Sequence, residues 1–363
     1  MNKSKDFNLI VKVNHTCNMH CDYCYYLRKE DNLEKGKMTF ETASQMIKSI
    51  LDYNTNSVRF MWHGGEPLLS GLDMFEAVVN EQKRLNTKGL IVNNIIQTNG
   101  VLLNNDWVKF FTKYNFTVGV SLDGPYNLCK HRNITRANFN KILQGIELLN
   151  SSNVYTGLLT VITHKSVNHA RDIFNFFTEV GIKRVRFLPC VVSDSVGKIN
   201  KTLSIRPEEY GIFLSMFLDT WLESGITDFV FENFDDYIRG KRKIVKAYCS
   251  QRNGCGNSLT IASNGNIYLC DSFCLTMNSM VGNVKLGFFE VCDHLNFKTF
   301  IKKIKKLPQK CINCRFIDCC AGGCSFHRWL ISHDFRGDSY LCHGIKIFFN
   351  HIEEIIKNTK IKF

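Results

Sequence analysis

The sequence predicts an α/β fold in which six strand–helix repeats form a partial (β/α)6 barrel, followed by a cysteine-rich domain. Two observations carry this. Over the first part of the chain, short runs rich in β-branched and aromatic residues alternate with stretches of helical spacing, at intervals of about 25–50 residues. From about residue 229 that rhythm gives way to strand pairs and cysteines, and eleven of the sixteen cysteines lie between Cys249 and Cys342. Six repeats fall short of the eight in a closed barrel. The expected domains are therefore 1–228 and 229–363, with no flexible linker between them.

The strands are expected at 9–13, 58–62, 91–97, 116–122, 157–162 and 184–188. Helices are expected between them at 40–51, 72–85, 106–114, 139–149 and 170–180. Pro207 opens a further helix over 208–223, as proline suits a first helical turn. Beyond the boundary, 259–261 and 267–270 flank Asn264-Gly265, a hairpin signal. An amphipathic helix over 345–356 closes the chain, with Phe348, Phe349 and Ile352 on one side.

Composition excludes several classes. With 363 residues and 44% hydrophobic residues, the chain can bury a large core and is neither disordered nor a bridge-stapled mini-protein. No apolar run reaches the ~18 residues of a membrane span, and the N-terminus lacks the pattern of a signal peptide. A cytoplasmic protein with no membrane partner is expected. The net charge of +13 would by itself point to nucleic acid. The basic residues are scattered, however, and Lys302, Lys303, Lys305 and Lys306 read as one solvated helix face, so no nucleic-acid partner is expected. Sixteen cysteines in a reducing compartment point to metal ligation or redox chemistry rather than disulfides.

Cys17-x3-Cys21-x2-Cys24 follows the first strand. Three thiolates in one loop can hold three irons of a cubane and leave the fourth open to a ligand. A structural zinc site, with His15 or His20 as fourth ligand, is the alternative. Trp62-His63-Gly64-Gly65-Glu66-Pro67 follows the second strand, where barrel enzymes carry active-site loops, and its glycines let backbone approach a ligand. A second constellation runs Cys255-x9-Gly265-x4-Cys270, Cys311-x2-Cys314-x5-Cys320-x3-Cys324, then Cys342; Cys249 adds an eighth thiol. Eight thiolates suffice for two cubanes of four ligands each, or for two zinc sites. Cys129, Cys190, Cys274, Cys292 and Cys319 are left over and read as small apolar fillers.

The three-cysteine loop with Gly64-Gly65-Glu66-Pro67 resembles the radical S-adenosylmethionine (SAM) superfamily, and the later cysteines are similar to its SPASM extension. The resemblance implies three [4Fe-4S] clusters and SAM, whose reductive cleavage yields a 5′-deoxyadenosyl radical. By resemblance, Gly64, Gly65 and Glu66 meet the SAM amino group, and Gln97 faces the same pocket. Ser121, Asp123 and Arg136 lie near its ribose and carboxylate, with Arg132 as the alternative to Arg136, and Leu188 borders the adenine. Cys249, Cys255, Cys270 and Cys324 would hold one auxiliary cluster, and Cys311, Cys314, Cys320 and Cys342 the other.

Across nearly the whole chain the resemblance is to anaerobic sulfatase-maturating enzymes and related maturases of ribosomally made peptides. Gln97-Thr98-Asn99-Gly100, Pro207-Glu208-Glu209-Tyr210-Gly211 and Tyr340-Leu341-Cys342 carry it. It implies hydrogen abstraction from a side-chain β-carbon, with Asp271 taking the proton, Tyr26 lining the peptide pocket and His63 on its substrate side. The implied partners are a peptide or protein substrate and a flavodoxin- or ferredoxin-type reductant. Two departures bear on the product. Sulfatase maturases typically read Trp-Gln-Gly-Gly-Glu-Pro-Thr and Cys-Asp-His-Phe, whereas this chain has His63, Leu68 and Ser272. A changed pocket on an unchanged cofactor site favours a side-chain cross-link in a ribosomally made peptide; the alternative is formylglycine from Cys or Ser. About eight residues precede the first strand, so no leader-binding winged-helix segment is expected.

Overall fold

The computed structural model describes residues 5–26, 36–53, 55–154, 156–194, 196–244, 255–256, 258–273, 279–293 and 295–359. Contacts divide the chain into two compact units. The first comprises Met1–Ser121, Arg132–Thr156 and Cys255–Lys302; the second comprises Leu122–His131, Gly157–Gly254 and Lys303–Phe363.

In the first unit, β1 (Lys5–Asn14), β2 (Thr55–Gly64), β3 (Ile91–Thr98) and β4 (Thr117–Ser121) pair in parallel. On the other side of β1, β8 (Ser258–Ile261) is also parallel to it, and β9 (Asn266–Tyr268) and β10 (Met280–Asn283) follow antiparallel, so the sheet is mixed. The expected hairpin forms between β8 and β9, with Gly265 at φ 86°. That its first strand continues the sheet of β1 was not legible from the cysteine-rich texture of this segment.

Alternation along β1 and β2 builds two different faces. Phe7, Leu9, Val11 and Val13 on β1 and Val58, Phe60 and Trp62 on β2 are buried. Trp62 meets Phe75 edge-on from α2 (Leu72–Leu85), and Phe75 meets Trp107 of α3 (Asn105–Lys113) in the same way. Each such buried aromatic contributes roughly 1.5–3 kcal/mol. The alternate residues face the other way. Lys12 and His63 are register partners there, as are Gln97 and Gly119 on β3 and β4. The helices start on side-chain caps: Thr39 for α1 (Phe40–Asp52), Asn104 for α3 and Thr135 for α4 (Arg136–Ser151).

In the second unit β5 (Thr156–Ile162), β6 (Arg184–Pro189) and β7 (Val230–Phe231) pair in parallel. Phe187 of β6 packs on Phe213 and Phe217 of α6 (Pro207–Ser224), which has proline at its first turn and a left-handed Gly225 at its end. The closing helix, α13 (Cys342–Thr359), starts three residues earlier than expected. It lies directly on α6: a Cβ on Gly344 would sit 1.8 Å from the Pro207 carbonyl oxygen, and one on Gly211 2.2 Å from that of Gly344. Only glycine permits this approach. No helix among the described residues is long and apolar enough to cross a membrane.

Candidate active site and cysteine pockets

The three-cysteine loop leaves the end of β1 and is stitched to the glycine loop leaving β2. Gly65 N–H donates to Asn14 O (3.0 Å), Glu66 N–H to Thr16 O (2.8 Å), and the Asn14 side-chain amide to Glu66 O (2.8 Å). Gly64 has φ +127° and Gly65 has no room for a side chain, since a Cβ there would lie 1.9 Å from Thr16 O. The two glycines therefore set the spacing between the loops. Asn99 reaches the same place, with its amide 3.6 Å from Cys17 Sγ and 2.7 Å from Asn18 Oδ1. Asn133 holds the far side of the loop through His20 O and Asp22, and buried Arg132 donates to the Tyr23 hydroxyl.

Glu66 is fully buried, and both its oxygens are engaged by the chain itself. Oε1 accepts from Leu68 N and Thr98 Oγ1, and Oε2 from Asn99 N at 2.7 Å. Burial pushes its carboxyl up to about 7, against the pull of these donors and of Arg132. The Glu66 side chain thus locks its own loop to the loop that follows β3, beyond the cofactor contact expected of it. Gln97 and Ser121 come together, Nε2 to Oγ at 2.9 Å, across Gly119, where a Cβ would collide with Gln97 Oε1. Arg136 opens α4 and is exposed, whereas its alternative Arg132 is buried. Asp123 and Leu188 belong to the second unit; Asp123 is buried and accepts from Val161 N, and Leu188 is 37% exposed near the end of β6.

Beyond β9, Asp271 meets two residues that sequence reasoning did not select. Lys12 Nζ lies 2.7 Å from Oδ1, and the Tyr25 hydroxyl donates to Oδ2 at 2.5 Å. Lys12 also donates to the Tyr25 oxygen at 2.9 Å, closing a three-membered ring of contacts. Burial works to raise the Asp271 carboxyl, but the Lys12 ammonium, with the Tyr25 hydroxyl, holds it below the usual carboxylate range. A lysine within an apolar parallel strand was the available signal, because lysine is almost never fully buried unless paired. Tyr26 is buried under Lys12, whose Nζ lies 4.9 Å from its ring centre, and its hydroxyl is 3.5 Å from Asn14 O. His63 stands beside Lys12; burial, then the Lys12 charge, lowers its pKa to about 4.

The second unit gathers the later cysteines. Cys311, Cys314, Cys320 and Cys342 line one pocket with Phe316, Ile345 and Phe349, and Lys310, Asp338 and Lys346 also line it. Cys311 sits on the short α10 (Gln309–Ile312), Cys320 ends α11 (Ile317–Cys320), and Cys342 begins α13. Burial, then the neighbouring Cys342, Cys311 and Cys314, pushes the Cys320 thiol up to about 12. Thiols so placed hold their protons unless a cation replaces them. Among the described residues no three His, Cys, Asp or Glu side chains are close enough to share a single ion. Cys255 and Cys270 are in the first unit and Cys324 in the second, while Cys249 lies outside the described residues. Cys129, Cys190 and Cys319 are buried.

Comparison with known proteins decides the family. Residues 11–177 match the profile of the Radical SAM superfamily. The chain is 30% identical to the serine-type anaerobic sulfatase-maturating enzyme of Bacteroides thetaiotaomicron, over 96% of this chain and 90% of that one. The chain belongs to the radical SAM superfamily, with the anaerobic sulfatase-maturating enzymes. A solved structure of native anSMEcpe with bound AdoMet and Kp18Cys peptide superposes with a TM-score of 0.87, at 27% identity over 98% of this chain and 99% of that one. Streptococcus suis SuiB bound to its precursor peptide SuiA shares the fold, with a TM-score of 0.68, 17% identity, and 93% and 76% coverage. Membership of the radical SAM superfamily implies a [4Fe-4S] cluster and SAM. The residues present fit that pair: three thiols share one loop, and a glycine loop without side chains lies against it.

Proposed function

We propose that this radical SAM enzyme oxidises a Ser or Cys side chain of a peptide or protein at its β-carbon, giving formylglycine. The observation that carries the proposal is Asp271, directly after Cys270, kept ionised by Lys12 and Tyr25 beside the loops that would hold the cofactor. Bound at Cys17, Cys21 and Cys24 and against Gly64 and Gly65, the cluster and SAM supply a radical that removes a hydrogen atom.

The chain's own residues supply the rest. Conversion of a CH2–OH group to an aldehyde gives up one hydrogen atom, one proton and one electron; the same loss from a CH2–SH group gives a thioaldehyde, which water hydrolyses to the aldehyde with release of hydrogen sulfide. Asp271 takes the proton, and Lys12 and Tyr25 fix both its oxygens so that it meets the substrate in one orientation. Asn99 and Asn133 hold the cysteine loop, and Gln97, Ser121 and either Arg132 or Arg136, all in the first unit, would contribute to the SAM site. Cys311, Cys314, Cys320 and Cys342 would hold an auxiliary cluster able to accept the electron, and the resemblance assigns Cys249, Cys255, Cys270 and Cys324 to a second. The convergence of the first four thiols in one pocket supports that assignment. The auxiliary clusters belong to a SPASM-type domain over 229–363, and a flavodoxin- or ferredoxin-type protein is the external redox partner.

A second product, a side-chain cross-link in a ribosomally made peptide, is favoured by His63 and Ser272, which replace residues typical of sulfatase maturases. Mass spectrometry on an anaerobic reaction with SAM, a reductant and Cys- or Ser-x-Pro-x-Arg peptides separates the two. An aldehyde at the target residue supports the formylglycine reading. Unchanged peptides with SAM still cleaved would sink it and favour the cross-link.

A further inference from the structure

His63 occupies the end of β2 beside Lys12, and its two ring nitrogens are in different situations. The Gly64 backbone N–H donates to Nδ1 at 2.8 Å; the competing contact, from Nδ1 to the Gly64 carbonyl, is longer at 3.4 Å. The lone pair of Nδ1 is therefore in use, and the ring proton sits on Nε2. Among the described residues Nε2 meets no hydrogen-bond partner. Burial and the adjacent Lys12 ammonium keep the ring neutral at ordinary pH. A neutral imidazole with its only lone pair already engaged cannot act as a base. It can only donate.

We infer that His63 donates a hydrogen bond from Nε2 to the substrate side chain and thereby selects an oxygen there, serine over cysteine. The inference rests on the formylglycine reading above and specifies its substrate. Lys12, the register partner of His63, also holds Asp271, 2.7 Å from its Oδ1, so one end of the site offers an acceptor for a proton and a donor for a lone pair. A hydroxyl satisfies both at once. A thiol satisfies only the first, because sulfur is a weak acceptor.

The test is equilibrium binding, without reductant, of peptides that differ only in carrying Ser, Cys or Ala at the target position. The protein is the anaerobically reconstituted, SAM-loaded enzyme, as wild type, His63→Phe and His63→Gln. For wild type the serine peptide is expected to bind roughly twofold to tenfold more tightly than alanine, with cysteine close to alanine. His63→Phe is expected to erase the serine preference. His63→Gln, whose amide nitrogen can reach the Nε2 position, is expected to keep it. Serine binding no tighter than alanine, cysteine binding more tightly than serine, or a serine preference that survives in His63→Phe would each overturn the inference while leaving the formylglycine reading intact. No binding of any peptide to wild type would overturn both. If the variants do not fold, the wild-type series alone decides.

Discussion

The two cysteine sites differ in how their geometry is made. Cys17, Cys21 and Cys24 lie on one short loop, and backbone hydrogen bonds to the Gly64-Gly65 loop fix its position. Cys311, Cys314, Cys320 and Cys342 come from two short helices, the turn between them and the start of α13, which is set by the glycine contact with α6. The first site is local in sequence and supplies three thiols, which leaves room for a further ligand. The second is assembled by tertiary packing and supplies four. Openness for chemistry comes from backbone stitching, and a complete ligand set comes from helix packing.

The sharpest break of this comparison is Cys24→Ala. It should abolish SAM cleavage, while the auxiliary cluster proposed for the second unit keeps its iron; equal loss at both sites would mean that they are not independent. Gly65→Ala should lower SAM cleavage by about a hundredfold with every cysteine in place, since even a 1 Å misplacement has that order of effect. The counterpart in the second unit, Gly344→Ala, should instead cost stability, about 3 kcal/mol in a denaturant melt, together with the iron of the cluster proposed for the four-cysteine pocket. Unchanged melting would show that α13 can move away from α6 at little cost. Lys12→Met should reduce product by about tenfold to a hundredfold while 5′-deoxyadenosine continues to form; a parallel fall of both would make Lys12 structural.

The remaining expectation concerns pH. Glu66 titrates higher when folded, at about 7, than its ordinary value of 4.5. The folded protein therefore binds the extra proton between those values, and stability falls as pH rises through that window, by up to about 3 kcal/mol. In the metal-free protein Glu66→Gln should flatten that slope in melts taken from pH 4.5 to 7.

The contrast between local and assembled sites also decides what could be read from the sequence. The six strands and the helices between them were legible because their apolar periodicity is intrinsic to each segment; α2, for instance, spans the expected 72–85. The three-cysteine loop and the glycine loop were legible because their ligands are neighbours in sequence. Lys12 and Tyr25 were not, since their partner Asp271 is more than two hundred residues away and only the parallel pairing of β8 with β1 places its segment beside them. The short helices around Cys311 and Cys320 escaped for another reason. At four residues each, they carry no full amphipathic repeat.

The alternation along β1 and β2 has a consequence for how this enzyme can diverge. Val11 and Trp62 are buried for packing on one face, while Lys12 and His63 occupy the opposite face, where the proposed chemistry lies. A single substitution therefore alters substrate handling or folding, rarely both, and a lineage can change its target by point changes on one face. Insertion or loss of one residue in either strand would invert both faces at once. Across homologues, length within these ten-residue strands should be far more constrained than the identity of their inward-facing residues.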